Sequence, residues 1–245
     1  MSSISDNNKY PNFCKQAAND ILTFSSFKQN TFYNEILEHV TYEEGIAYIN
    51  QFKNNKSIFD NISKFKINDT LGSPRTYSFA DIGEYSPTTL RYIKILNDLS
   101  QIDLNDKTII EIGAGYGGQY TVLRQLFKPK KYIFIDLPSV LDLIKKYITT
   151  LKLDDIEIEY IDGSLLSNNI SADMVISNYA FSECDKTIQD VYIKHILQHT
   201  KHCYMIYNNM HGYNHHEFIE KTRPGKVKIS EEVPQTHPKN VVLTW

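Results

Sequence analysis

The chain has 245 residues, 41% of them hydrophobic, and a formal net charge of −3. That is enough apolar material for one large domain that folds on its own, and the slight negative charge gives no general electrostatic grip on nucleic acid or an anionic membrane surface. Three scattered cysteines, Cys14, Cys184 and Cys203, have neither C-x-x-C spacing nor a paired histidine motif, so they give no sign of a zinc site and fit a reducing compartment.

The N-terminus, MSSISDNNKYPNFCK, is polar, and no later segment approaches the ~18 apolar residues of a membrane span. A cytoplasmic protein without a membrane span is expected. Residues 1 to about 70 mix short apolar clusters with polar residues and read as short helices. A loop-like TLGSPRTYSFADIGEYSP follows. Ser86-Pro87 then opens a helix, TTLRYIKILNDLS, with Ser86 as N-cap, Pro87 at the first helical position, and Leu90, Ile93 and Leu96 on one face. From there strand-like runs alternate with helical stretches: KTIIEIG, KYIFIDL, IEIEYID, ADMVISN and HCYMIYNN, with helices between them. Strands this uniformly apolar are covered on both faces, as in a parallel α/β sheet. The last two, GKVKISEE and VVLTW, are joined by a segment too short for a crossover helix and should pair antiparallel. The fold class expected is therefore α/β, a Rossmann-like sheet, mostly parallel with its last strand antiparallel. A helical N-terminal extension or cap occupies residues 1–85 and the cofactor-binding domain 86–245.

The segment TIIEIGAGYGGQY, residues 108–120, carries the chemistry. Gly113, Gly115 and Gly118 satisfy the dinucleotide pattern G-x-G-x-x-G, whereas Glu111, Gly113, Gly115 and Gly117 satisfy the E-x-G-x-G-x-G pattern of S-adenosylmethionine sites. Both cofactors would lie beyond the carboxyl ends of the strands, where glycines let backbone approach a ligand. Asp136 ends the second strand, where a carboxylate accepts hydrogen bonds from ribose hydroxyls; the rival role is capping the next helix. Three features favour methyl over hydride transfer. Glu111 stands two residues before the first glycine, as an acid facing the methionine end. Asp162, in YIDGSLL, stands where a polar residue meets the adenine amine, and no Tyr-x-x-x-Lys pair is present. With the reversed last strand these indicate the class I methyltransferase sheet. The cofactor-binding residues expected are Glu111, Gly113, Ala114, Gly115, Gly117, Asp136, Leu137, Asp162, Gly163, Ser164, Asn178 and Arg91, and the cofactor S-adenosyl-L-methionine.

SPTTLRYIKILNDL before IIEIGAGYGGQ, then DLP, SNYAFSE and a terminal THPKNVVLTW, resemble the bacterial sugar O-methyltransferases associated with modification of surface glycans. The resemblance spans roughly Gly72 to Trp245. It implies as acceptor a small molecule: a sugar, nucleotide sugar or glycan precursor. Other acceptors, such as a phosphate-derived group or small metabolite, remain open, as do an NAD(P)-dependent oxidoreductase, a non-catalytic binding subunit and a homodimeric assembly.

Methyl transfer to a hydroxyl needs alignment and a base near the strand ends. The candidates are His211, beyond the fifth strand; His237, in the loop between the last two strands and expected to overhang the cleft; and Glu183, a base or orienting acceptor whose rival role is capping with Asp185. His215 and His216 are expected on the following helix. Arg91 would reach the carboxylate of the methionine moiety or an anionic acceptor, or pair with a nearby acid, and Tyr85, Ser86 and Thr89 belong to the same group. Asn178 and Tyr179 should border the transfer site. Some of the 17 tyrosines could stack on sugar rings. No N-P-P-Y-like tetrapeptide follows the fourth strand, which argues against a nucleobase amine. Ser177-Asn178 and Asn208-Asn209 stand where metal-dependent relatives carry carboxylates, so no metal is expected, with Glu183 and Asp185 keeping that alternative open.

Overall fold

The computed structural model describes residues 9–245, and the polar stretch 1–8 lies outside them. The extension contains short helices, α1 (Lys9–Asn19), α2 (Ile21–Ser25), α3 (Thr31–Tyr33), α4 (Tyr42–Phe52) and α5 (Lys56–Phe59), the last four opened by a side-chain N-cap. Asp20, Asn30 and Asn55 each accept a first-turn amide, and Thr41 with Glu44 forms a capping box before α4. Between α3 and α4 the backbone makes a π-helical turn, Asn34–Glu38. A small hairpin, β1 (Tyr77–Phe79) and β2 (Gly83–Tyr85), occupies the segment expected as loop. Three residues per strand are too few to show alternation, but Phe79 and Tyr85 are buried.

Next comes α6 (Pro87–Leu99), with Ser86 at its N-cap but without a side-chain capping bond. Its Leu90, Ile93 and Leu96 face is buried as expected, and so is every other residue from Pro87 to Leu96. The helix is clasped between sheet and extension rather than exposed on one side. Accordingly the extension has no core of its own: Phe27, Tyr33, Phe52 and Phe65 belong to the same apolar cluster as Ile109, Phe134 and Ile176.

The elements that follow are β3 (Thr108–Ile112), α7 (Gly118–Leu123), β4 (Lys131–Asp136), α8 (Pro138–Thr150), β5 (Glu157–Asp162), β6 (Ala172–Asn178), α9 (Ala180–Glu183), α10 (Lys186–His195), β7 (Thr200–Tyr207), α11 (His215–Thr222), β8 (Lys228–Glu231) and β9 (Val241–Thr244). They build a seven-stranded sheet of order β5-β4-β3-β6-β7-β9-β8. The first five are parallel, and β9 runs antiparallel to both its neighbours. The reversed strand is thus inserted beside β7, and β8 forms the edge. Side chains alternate across the sheet: Ile109 and Phe134 face the core shared with the extension, and Ile110, Ile112 and Ile135 face a second cluster under α10 and α11. The carboxyl ends of β3, β4, β5, β6 and β7 share one rim, where α/β sheets bind ligands. Among the described residues no helix is long and apolar enough to cross a membrane.

Candidate functional site

A cavity of about 390 Å³ opens on this rim, within the range of small-ligand sites. Gly113 reaches it from the end of β3, Asp136 and Leu137 from the end of β4, and Gly163 and Ser164 from the turn after β5. Ile188, Val191 and Tyr192 of α10 make the facing wall. The cavity is an apolar slot with one carboxylate at its edge. Asp136 Oδ2 accepts from the Gly115 amide at 3.3 Å and Oδ1 from the Leu137 amide at 2.8 Å. Burial pushes this carboxyl up to about 6 against those bonds, which lower it.

The glycine loop is packed against two other elements. A side chain at Gly113 would meet Ala180 Cβ at 2.0 Å, and one at Gly115 would meet Leu37 Cδ1 at 2.7 Å. Leu37 belongs to the π-helical turn, so the extension lies directly on the loop. Ala114 is buried, and its carbonyl accepts the Gly117 amide at 2.9 Å.

Beside the loop, the segment after β6 and the end of β7 bring together a polar cluster. Tyr179 holds a left-handed φ of 71°, a strained conformation for a bulky residue and one concentrated at functional sites. Its hydroxyl donates to Glu232, a buried carboxylate that also accepts from Thr236 N at 2.9 Å, Thr236 Oγ1 at 2.7 Å and Asn240 Nδ2 at 2.9 Å. Asn208 Nδ2 donates to Glu183 at 3.0 Å. Burial raises the Glu183 carboxyl, while His211, the Asn208 amide and Arg91 act against it. Glu183, His211 and Arg91 therefore share one electrostatic neighbourhood. Asp185 alone caps α10, accepting from Ile188 N at 3.0 Å, so the capping role does not fall to Glu183. Asn178 Oδ1 is buried and has no hydrogen-bond partner, while its Nδ2 donates to Gln119 at 3.4 Å. Such an orphaned acceptor at a strand end suits a ligand ammonium or hydroxyl.

Other residues singled out in the sequence lie elsewhere. Glu111 does not line the cavity: strand alternation turns it toward the shared core, where it is 2% exposed and accepts from Tyr132 Oη at 2.7 Å. Burial raises its carboxyl to about 8, against the Tyr132 bond, so it is neutral at pH 7. A carboxyl raised on folding contributes stability that is lost as pH climbs from the ordinary carboxylate range through about 8. Glu111→Gln, permanently neutral, is expected to stay within about 1 kcal/mol of the wild type at pH 7 and to lack that slope, as thermal melts across pH would record. Asp162 turns its carboxylate back on the chain, accepting from Ser164 N at 2.9 Å and Ser164 Oγ at 2.7 Å, and borders a separate shallow pocket. Only its neighbours Gly163 and Ser164 reach the cavity. Arg91 is 6% exposed, donates from Nη2 to the Leu37 carbonyl at 3.1 Å, and leaves Nε without a partner. It ties α6 to the π-helical turn.

His237 is exposed, and its Nδ1 accepts the Lys239 amide at 3.3 Å. It stands on the outer turn of the loop; that loop's inward residue is Glu232, held by the Thr236 and Asn240 side chains. His215 and His216 sit on α11, with His215 Nδ1 at 2.9 Å from Asn209 Oδ1. Sequence reasoning missed Glu232, Tyr10 and the α10 wall, because only the tertiary fold brings them to the rim.

A second cavity, about 560 Å³, lies between the π-helical turn, the hairpin and the start of α6. Glu38, His39, Tyr42, Tyr77, Ser86 and Thr88 are among its walls. Glu38 has one buried oxygen without a hydrogen-bond partner, and burial raises its carboxyl against the opposing pull of Lys28.

No protein-family model matches the sequence, and none of the curated proteins matches it significantly. Among solved structures, the chain is similar to the pyocyanin biosynthetic protein PhzM at 10% identity and a TM-score of 0.47, covering 64% of this chain and 56% of that one. It thus spans little more than half the length of that protein. A SAM dependent methyltransferase from Aquifex aeolicus aligns at 13% identity and a TM-score of 0.47, over 62% of this chain and 87% of that chain. A S-adenosylmethionine-dependent methyltransferase from Clostridium acetobutylicum aligns at 11% identity and 0.48, over 61% and 87%. The fold is α/β, a mostly parallel seven-stranded Rossmann-like sheet with one antiparallel strand.

Proposed function

We propose that the chain is an S-adenosylmethionine-dependent O-methyltransferase whose acceptor is a sugar hydroxyl on a small glycan precursor. The observation that carries the reading is the cavity at the strand ends, where Asp136, the glycine loop and an apolar slot meet. Asp136 would accept from the ribose hydroxyls, Leu137, Ile188 and Val191 would sandwich the adenine, and Asn178 Oδ1 would take the methionine ammonium. The bound cofactor supplies an electrophilic methyl carbon; the protein's work is alignment and removal of the acceptor's proton. Glu183 and His211 would receive that proton, directly or from one to the other, and Glu232 holds the Tyr179 hydroxyl. The sugar assignment draws on the sequence resemblance and on the polar, tyrosine-containing second cavity, which suits a hydroxylated ring.

Methyl incorporation from labelled cofactor into a panel of sugars, nucleotide sugars and non-sugar metabolites tests this. Transfer to a sugar hydroxyl is the expected outcome, and robust transfer confined to non-sugars overturns the acceptor class. A pH dependence accompanies it. Because Asp136 titrates near 6, the acceptor form of its carboxylate is lost as pH falls through that value. Affinity for S-adenosylhomocysteine should drop on the acid side of 6. Asp136→Asn should bind about tenfold to a hundredfold more weakly at neutral pH and lose that dependence, the size expected when a hydrogen bond to a charged group is replaced. Calorimetry on both sides of the titration checks both statements.

A further inference from the structure

We infer that Tyr10 is a cofactor-positioning residue and that α1 is a structural part of the cofactor site. The inference rests on reading the cavity as an S-adenosylmethionine site and adds a wall supplied by the extension. Tyr10 lines the cavity and is 5% exposed. Its hydroxyl shares a hydrogen bond with the Cys14 thiol. Tyr10 lines the same cavity as Asp136, the carboxylate assigned to the ribose, and Leu137, which puts its ring on the nucleoside part of the proposed site.

The ring is rigidly mounted. It stacks on Tyr33 with centroids 5.9 Å apart and planes at 29°, and Tyr33 in turn meets the edge of Phe27 at 5.2 Å. The helix carrying it is fastened to α8, where Lys146 Nζ donates to the Ala17 carbonyl at 3.3 Å and lies 4.7 Å from the Phe24 ring centroid. Because α8 follows Asp136 by only two residues, the same helix that leaves the ribose carboxylate also holds α1 in place. An aromatic face fixed in this way needs no reordering to pack on a planar base or ribose, so its contact is converted into affinity with little entropic loss.

The test uses the full chain and S-adenosylhomocysteine as probe. Tyr10→Ala should weaken binding about tenfold, whereas Tyr10→Phe, which keeps the ring, should bind like the wild type. Hydrogen exchange on the unmodified chain gives a second readout independent of whether a variant folds: the ligand should slow exchange of amides in residues 9–19 as well as in 113–117. Wild-type affinity in a folded Tyr10→Ala, or protection of the glycine loop with none in 9–19, overturns the role of α1. Absence of binding and of any protection in the wild type instead overturns the cofactor reading beneath it.

Discussion

Gly113→Ala is expected to abolish cofactor binding and to destabilise the protein by about 3 kcal/mol. Two costs add at this position. The residue holds φ at +72°, which a side chain disfavours by about 1–2 kcal/mol. A Cβ there would also lie 2.0 Å from Ala180 Cβ, forcing the turn after β6 away from the loop at the further cost of overpacking, about 1–3 kcal/mol. Since Ala180 follows Asn178 and Tyr179, the movement would displace the groups assigned to the methionine end. Gly225 provides the internal comparison, because its φ is +71° with nothing within 4 Å of an added Cβ. Gly225→Ala should show the backbone cost alone and bind S-adenosylhomocysteine normally. Denaturant unfolding and calorimetry on the two variants separate strain from steric exclusion; equal stability loss in both would contradict the close packing of Gly113 on Ala180.

The second large effect concerns turnover. Once an acceptor is identified, His211→Ala and Glu183→Gln should each lower kcat by about a hundredfold or more, roughly 2.7 kcal/mol of transition-state stabilisation, with cofactor affinity retained. On the proposed proton path, in which His211 and Glu183 would act together, the double variant should lose little beyond the worse single one. His237→Ala should leave kcat unchanged, since His237 is exposed on the outer turn of its loop. Steady-state rates for the three variants decide the assignment. A large loss in His237→Ala with none in His211→Ala would reverse the roles drawn from the structure.

The loop between the last two strands marks where sequence reasoning ran out. Alternating apolar runs and helical stretches carry the parallel sheet, and the short link before VVLTW carries the reversed strand, because both follow from local periodicity and chain length. The glycine loop and Asp136 were legible for the same reason: strand ends recur on one rim. Glu111 was legible as an acid near the end of the first strand but not in its direction: expected to face the methionine end, it lies on the core side of β3, where counting alternate residues from Ile109 also places it. The inward residue of the last loop was not legible, since it depends on Thr236 and Asn240 folding back onto Glu232. Tyr10 lies more than a hundred residues from the glycine loop, and no local pattern links a helix that distant to the cavity it closes. The hairpin at Tyr77–Tyr85 escaped because its strands are shorter than the period needed to detect them.

The most direct measurement of the central claim is calorimetric titration of the purified protein with S-adenosylhomocysteine, with reduced nicotinamide dinucleotide run in parallel. Micromolar binding of S-adenosylhomocysteine alone, weakened in Asp136→Asn, is the predicted result. Binding of the dinucleotide alone would contradict the account and assign the glycine loop to a pyrophosphate.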